Sequence, residues 1–167
     1  MSLDTNKLYD VIIIGGGASG MMCASYLLSL KPEARVLILE RNNKIGTKVL
    51  ITGNGRCNLT NTSIVYTDYN TDSYDRLQTI LNKYSVKHTM DYFENSLGLH
   101  MALKDDLVYP NSYKSLSVVD SFKFALDKVD IVLNECVKAT NKKGDVYEIN
   151  EVADFVKTYE QRIKRIE

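Results

Sequence analysis

The sequence predicts an α/β fold: a three-layer domain around a short parallel sheet of strand order 3-2-1, with helices and a small β hairpin. Three observations carry that expectation. A β-branched run, Tyr9 to Ile14 (YDVIII), leads into a glycine cluster, an apolar helical pattern and a second apolar run that ends in an acidic residue. A third short apolar run, Asp130 to Leu133 (DIVL), follows much later in the chain. Beyond it, Val137–Thr140 and Asp145–Ile149 flank NKKG, a hairpin signal.

Each element has a local reason. YDVIII is apolar on successive residues, the pattern of a parallel strand buried on both faces. GGGASG then opens a helix, MMCASYLLSL, in which Met21, Ala24, Ser25 and Leu28 share one face, and Pro32 lies just past its end. Arg35–Leu39 (RVLIL) is the second buried strand, closing at Glu40. Strand, helix and strand make one βαβ unit. Asn42–Thr62 is polar and glycine-rich with only KVLI as an apolar island, a long connection of the kind that either carries function or is disordered. A helix is expected over Asp72–Tyr84, through Leu77, Ile80, Leu81 and Tyr84, and another over Thr89–Leu97, stopped by Gly98. Met101–Pro110 has room for a short strand, with Tyr109-Pro110 as a turn, and Ser115–Val129 has helical periodicity. The last stretch is amphipathic, with Val152, Phe155, Val156, Tyr159, Ile163 and Ile166 in one stripe. The expected organisation is therefore one domain over residues 1–150 and an amphipathic helix over 151–167.

Bulk composition narrows the classes of function. The 167 residues suffice for one domain with a sizeable core. Their 21 basic and 21 acidic residues cancel, which argues against nucleic acid or an anionic membrane as the main partner. MSLDTNKLYD lacks the basic and apolar regions of a signal peptide, and no apolar run is long enough to span a bilayer. Cys23, Cys57 and Cys136 are widely spaced, with no CxxC, so neither a disulfide framework nor a structural metal site is expected. The cytoplasm is the expected compartment.

The chemistry sits in Gly15, Gly17 and Gly20, a G-x-G-x-x-G pattern. Alone it is weak. Here it follows a strand, opens a helix and precedes an acidic residue at the end of the next strand, which is the context of a Rossmann-like dinucleotide site. Gly15 permits the tight turn, Gly17 a close backbone approach to a pyrophosphate, and Gly20 close packing of helix on strand. The helix N-terminus offers N–H groups and a positive dipole end to the anion. Glu40 can accept both hydrogen bonds of a ribose diol and would repel a 2′-phosphate. FAD and NAD both satisfy that description.

Two blocks, DVIIIGGGASGMMCA and LERNNKIGTKVLITGNGRCNLTN, with a weaker third, VYPNSYKSLSVVDSF, resemble the N-terminal region of the bacterial BaiN/YhiN-type flavoproteins, NAD(P)/FAD-dependent oxidoreductases. The second block is the distinctive one, and the resemblance extends from about Tyr9 to about Ile149. It implies FAD as cofactor and NAD(P)H as a possible co-substrate. The pyrophosphate would lie on Gly15, Gly17, Ala18, Ser19 and Gly20, and the ribose on Glu40 beside Arg41. The loop from Gly46 to Asn61 would run along the cofactor toward the flavin. Gly53 and Gly55 would bring backbone N–H groups close, and Lys48 and Arg56 would supply positive charge. Thr52, Cys57 and Asn58 belong to the same loop, and the backbone of Val137 would meet the adenine.

The alternatives are bland. Cys57 has no second cysteine nearby, so packing is expected of it rather than redox chemistry. His88 and His100 are isolated, Ser19 has no evident catalytic partner, and the sequons at Asn58 and Asn61 are chance matches. No general acid or base can be named. Relatives in the resembling family are more than twice as long, so the resemblance implies a truncated FAD-binding part, with a small-molecule substrate expected to be met mainly by other domains. A non-catalytic nucleotide-binding or interaction module, self-associating through residues 151–167, is the competing expectation.

Overall fold

The computed structural model describes residues 8–143 and 146–151. In chain order the elements are β1 (Val11–Ile14), α1 (Ala18–Leu30), β2 (Val36–Glu40), α2 (Thr47–Ile51), β3 (Thr60–Asn61), α3 (Tyr74–Lys83), α4 (Val86–Asp91), β4 (Met101–Lys104), β5 (Leu107–Pro110), α5 (Ser115–Ala125), β6 (Asp130–Leu133), β7 (Val137–Lys143) and β8 (Val146–Glu151). They fall into two units. One combines the chain up to Lys48 with the chain from Leu126, and the other is Val49–Ala125.

In the first unit β1, β2 and β6 form a parallel sheet in the order β1-β2-β6, the expected 3-2-1 arrangement. β2 is central, and all five of its residues are buried. Each of its fully buried aliphatic side chains stabilises the fold by roughly 1.5–3 kcal/mol. β1 corrects the expectation of burial on both faces: Val11, Ile12 and Ile13 are half-buried and Ile14 is 53 % exposed. The reason is its position, since among the described residues β1 is an edge strand paired to β2 alone. α1 packs on β1 and β2 through Met21 and Ala24, both fully buried. Leu37 and Leu39 point to one face of β2 and cluster with Tyr9, Val132 and Ile149. Ile149 belongs to β8, so the antiparallel β7–β8 hairpin supplies the third layer.

Two polar contacts fix the entry to this sheet. Tyr9 donates its hydroxyl proton to Asp130 Oδ2 at 2.6 Å. Arg35 donates to Asp10 from its backbone N–H (2.9 Å), Nε (3.2 Å) and Nη2 (2.8 Å). That arrangement holds the Asp10 carboxyl down to about pKa 2, chiefly through the hydrogen bonds from Arg35.

The second unit has an antiparallel sheet, β3-β5-β4, with α5 against β5. Val118, Val119 and Phe122 of α5 are buried, and Phe122 meets Phe93 edge to face with ring centroids 5.7 Å apart. Several expectations shift here. The helix expected over Thr89–Leu97 starts earlier, at Val86, because Ser85 Oγ accepts the His88 N–H and caps it. It passes into a π turn at Tyr92–Ser96. The helix expected over Ser115–Val129 stops at Ala125, and Val129 N–H donates to the Leu126 carbonyl at 3.0 Å. A turn places Leu126 and Val129 inward as well as a helix would. Tyr109-Pro110 is not a turn but the end of β5, with Pro110 paired to Met101. A proline at a strand end forfeits a single donor, and the turn follows it, closed by Tyr113 N–H on the Pro110 carbonyl. The expected amphipathic helix, with the self-association assigned to it, lies outside the described residues beyond Glu151.

Candidate functional site

A cavity of about 430 Å³ opens at the C-terminal ends of the parallel strands of the first unit. Three walls come from the residues that leave the strands: Ile14–Gly17 after β1, Leu39–Asn42 around the end of β2, and Glu135–Val137 after β6. Thr47 and Lys48, where α2 begins, line it as well. Ligands of open parallel sheets bind in this position, outside the carboxyl ends of the strands.

The glycines divide the work. Gly15 has φ 102°, a backbone conformation that side chains resist, and its N–H donates to the Leu39 carbonyl at 2.8 Å. A Cβ on Gly20 would strike the Gly15 carbonyl oxygen, so glycine here allows α1 to sit against the turn. A Cβ on Gly17 would meet nothing within 4 Å, which leaves that backbone open to the cavity. Gly17 is also the N-cap of α1. No side chain caps this helix end, and its first turn holds no acidic residue. The N–H groups of the first turn have no acceptor within the helix. Arg41 and Lys48 add two cations to the lining.

Glu40 is buried and already engaged. Its Oε2 accepts the Gly16 N–H at 2.6 Å, and its Oε1 accepts the Asn42 N–H (2.8 Å) and side-chain amide (2.6 Å). The carboxylate thereby ties the glycine turn to the end of β2, with one acceptor position of about four left over. Gly16, the unnamed middle of the glycine cluster, is essential to this: a Cβ there would come within 2.5 Å of Ile45 and 3.3 Å of Glu40 Oε2.

Of the residues expected at the site, Gly15, Gly17, Glu40, Arg41, Lys48 and Val137 line this cavity together. Ala18, Ser19 and Gly20 form the first turn of α1. Thr52, Gly53, Gly55, Arg56, Cys57 and Asn58 belong to the second unit, where their polar groups serve the chain itself. Thr52 Oγ1 donates to the Val49 carbonyl at 2.7 Å, and Asn58 Nδ2 to the Thr60 and Val108 carbonyls at 3.1 and 3.2 Å. The Arg56 guanidinium lies 5.7 Å from the centroid of the Tyr109 ring. Gly53, Asn54, Gly55 and Cys57 all have positive φ, which makes this a tight left-handed turn. Cys57 is buried. The lining residues that sequence reasoning did not single out are Ile14, Gly16, Leu39, Asn42, Thr47, Glu135 and Cys136. All but Glu135 and Cys136 stand inside the two blocks that carry the family resemblance.

The fold is that of a Rossmann-type domain, with the cavity at the carboxyl ends of its parallel strands. The HI0933-like protein Rossmann domain model matches residues 9–161, and the chain belongs to that family. The match bears out the resemblance to BaiN/YhiN-type proteins. A 3-dehydro-bile acid delta(4,6)-reductase of Clostridium scindens is 36 % identical over 129 residues, covering 76 % of this chain and 31 % of that protein. A ribosomal RNA dihydrouridine synthase of Escherichia coli is 33 % identical over 98 residues, 54 % of this chain and 24 % of that protein. The chain thus spans under a third of the length of these curated relatives. Among solved structures, the open conformation of a flavocytochrome c3 fumarate reductase aligns over 87 % of this chain and 30 % of that one, with TM-score 0.54 and 14 % identity. At that identity the alignment establishes the fold alone. Among the described residues no helix is long and apolar enough to cross a membrane.

Proposed function

We propose that this chain is the FAD-binding part of a flavin-dependent oxidoreductase, and that the cavity holds the ADP half of the cofactor. The observation that carries the reading is the convergence of three features on one cavity: the uncapped N-terminus of α1, the open backbone at Gly17 and the ends of three parallel strands. The diphosphate fits against Gly15–Gly20, where a side chain at Gly17 would intrude, and Arg41 and Lys48 balance its charge. Glu40 takes the ribose with its remaining acceptor position while it holds the turn in shape. Val137 forms the wall for the base.

When bound, the flavin supplies the electron-transfer chemistry, and the protein supplies orientation and electrostatics. No general acid or base among the described residues is assigned. One curated relative is named as a reductase of a bile acid and the other as a dihydrouridine synthase of ribosomal RNA; for the whole protein we propose a reduction, with a small molecule as substrate and NAD(P)H as electron donor. Three free cysteines suit a reducing cytoplasm. The reading is tested by incubating the purified chain with excess FAD, desalting it and recording the visible spectrum. Retained flavin bands that disappear in Gly17→Val support it. A folded chain that retains no flavin and shows no saturable uptake of FAD at equilibrium would overturn it.

A further inference from the structure

The end of β6 carries a group that this reading leaves unused. Glu135 follows β6, and its backbone N–H donates to the Glu40 carbonyl at 2.9 Å, which fixes it beside the end of β2. It lines the cavity and is half-buried. Among the described residues its carboxylate has no hydrogen-bond or ion-pair partner. The contrast with Glu40, whose carboxylate accepts three N–H donors from the chain, is sharp. Burial without a counter-charge also pushes the Glu135 carboxyl above the ordinary carboxylate range. A half-buried acceptor left unsatisfied in a binding cavity is a place for a ligand donor.

Sheet order says which part of the ligand arrives there. Neighbouring strands lie about 4.8 Å apart, so the ends of β1 and β6 are separated by roughly 10 Å. A diphosphate at the β1 turn and a ribose at the end of β2 therefore bring the base to the end of β6. We propose that Glu135 reads the base: its carboxylate accepts a hydrogen bond from the exocyclic 6-amine of adenine and makes the cavity selective for adenine nucleotides. This rests on the assignment of the cavity to the ADP half of a dinucleotide. Arg41 and Lys48 serve the anion and do not discriminate between bases.

The test is calorimetric titration of the 167-residue chain with ADP and with its 6-deamino analogue, purine riboside 5′-diphosphate. The analogue keeps diphosphate and ribose and lacks only the amine. The wild-type chain is expected to prefer ADP by roughly tenfold or more, the worth of a hydrogen bond to a charged group. Glu135→Ala should bind the two ligands alike, and Glu135→Gln, a neutral acceptor of the same shape, should keep a reduced preference. If the wild type binds both ligands equally, or if the variants weaken both equally, Glu135 does not read the base and the proposal falls, while the nucleotide assignment stands. If the folded wild type binds neither ligand, the nucleotide assignment itself fails, and the proposal with it. Far-UV circular dichroism of each variant separates these outcomes from misfolding.

Discussion

Gly17 and Gly20, three residues apart in one motif, should respond to alanine in opposite ways. Gly20→Ala places a Cβ against the Gly15 carbonyl oxygen, 3.1 Å from the Gly15 carbonyl carbon and 3.3 Å from Ile13 Cγ2. The first two are backbone atoms and cannot rotate aside. Helix propensity alone would favour this change by about 1 kcal/mol. Overpacking costs typically about 1–3 kcal/mol, and more where backbone must move. We expect the second effect to win and unfolding stability to fall by about 1–2 kcal/mol, or roughly 2–8 °C in Tm for a chain of this size. Gly17→Ala meets nothing within 4 Å, and its φ of −79° and ψ of −171° suit any residue. Its stability should change by less than about 1 kcal/mol, the scale of an N-cap substitution. The added methyl instead stands in the cavity wall, so ADP affinity should drop by about tenfold or more, the binding equivalent of a steric cost of 1–3 kcal/mol. Urea unfolding followed by circular dichroism, with calorimetric titration of ADP, measures both. A Gly20→Ala protein as stable as wild type, or more so, would refute the packing argument. A Gly17→Ala protein that binds ADP normally would refute the assignment of that open backbone to the ligand.

Two further outcomes follow from the same geometry. Asp10 is held to about pKa 2 by Arg35 against 3.8 in an unfolded chain, so its contribution to stability is present above about pH 4 and is lost as pH falls toward 2. Asp10→Asn should flatten that acid limb when unfolding is measured between pH 5 and pH 2 at low salt, and an unchanged slope would show that the pair does not form in solution. Of the free cysteines Cys23 is exposed and Cys57 buried, so a thiol reagent should label Cys23 well before Cys57 in the native protein. Peptide mapping after brief labelling reads this order, and early modification of Cys57 would contradict the packed left-handed turn.

What the sequence revealed follows the range of the interactions involved. β1, α1 and β2 were legible because each pattern is local, and the acidic residue at the end of β2 completed a motif whose spacing has a physical cause. The place of β6 beside β2 was legible as well, since a short apolar run followed by a hairpin had few other homes. The edge exposure of Ile14 was not, because burial of a strand depends on neighbours that its own residues do not encode. α2 was hidden within a glycine-rich stretch, as five residues give too short a window for helical periodicity. The start of α4 turned on one hydroxyl, that of Ser85. Glu135 and Asn42 reached the cavity through backbone contacts between strand ends, which leave no mark in residue spacing. The internal engagement of Glu40 was equally silent, because a carboxylate that binds ribose and one that braces a glycine turn look the same in a sequence.

Whether the cavity at the strand ends takes the ADP half of FAD is decided by competition at equilibrium. FAD binding to the purified chain would be followed by equilibrium dialysis, with ADP and FMN as competitors. One FAD should bind per chain, saturably, displaced by ADP and indifferent to FMN, because the recognised part is the adenosine diphosphate. Displacement by FMN but not by ADP, or no saturable binding of FAD by the folded chain, would contradict it.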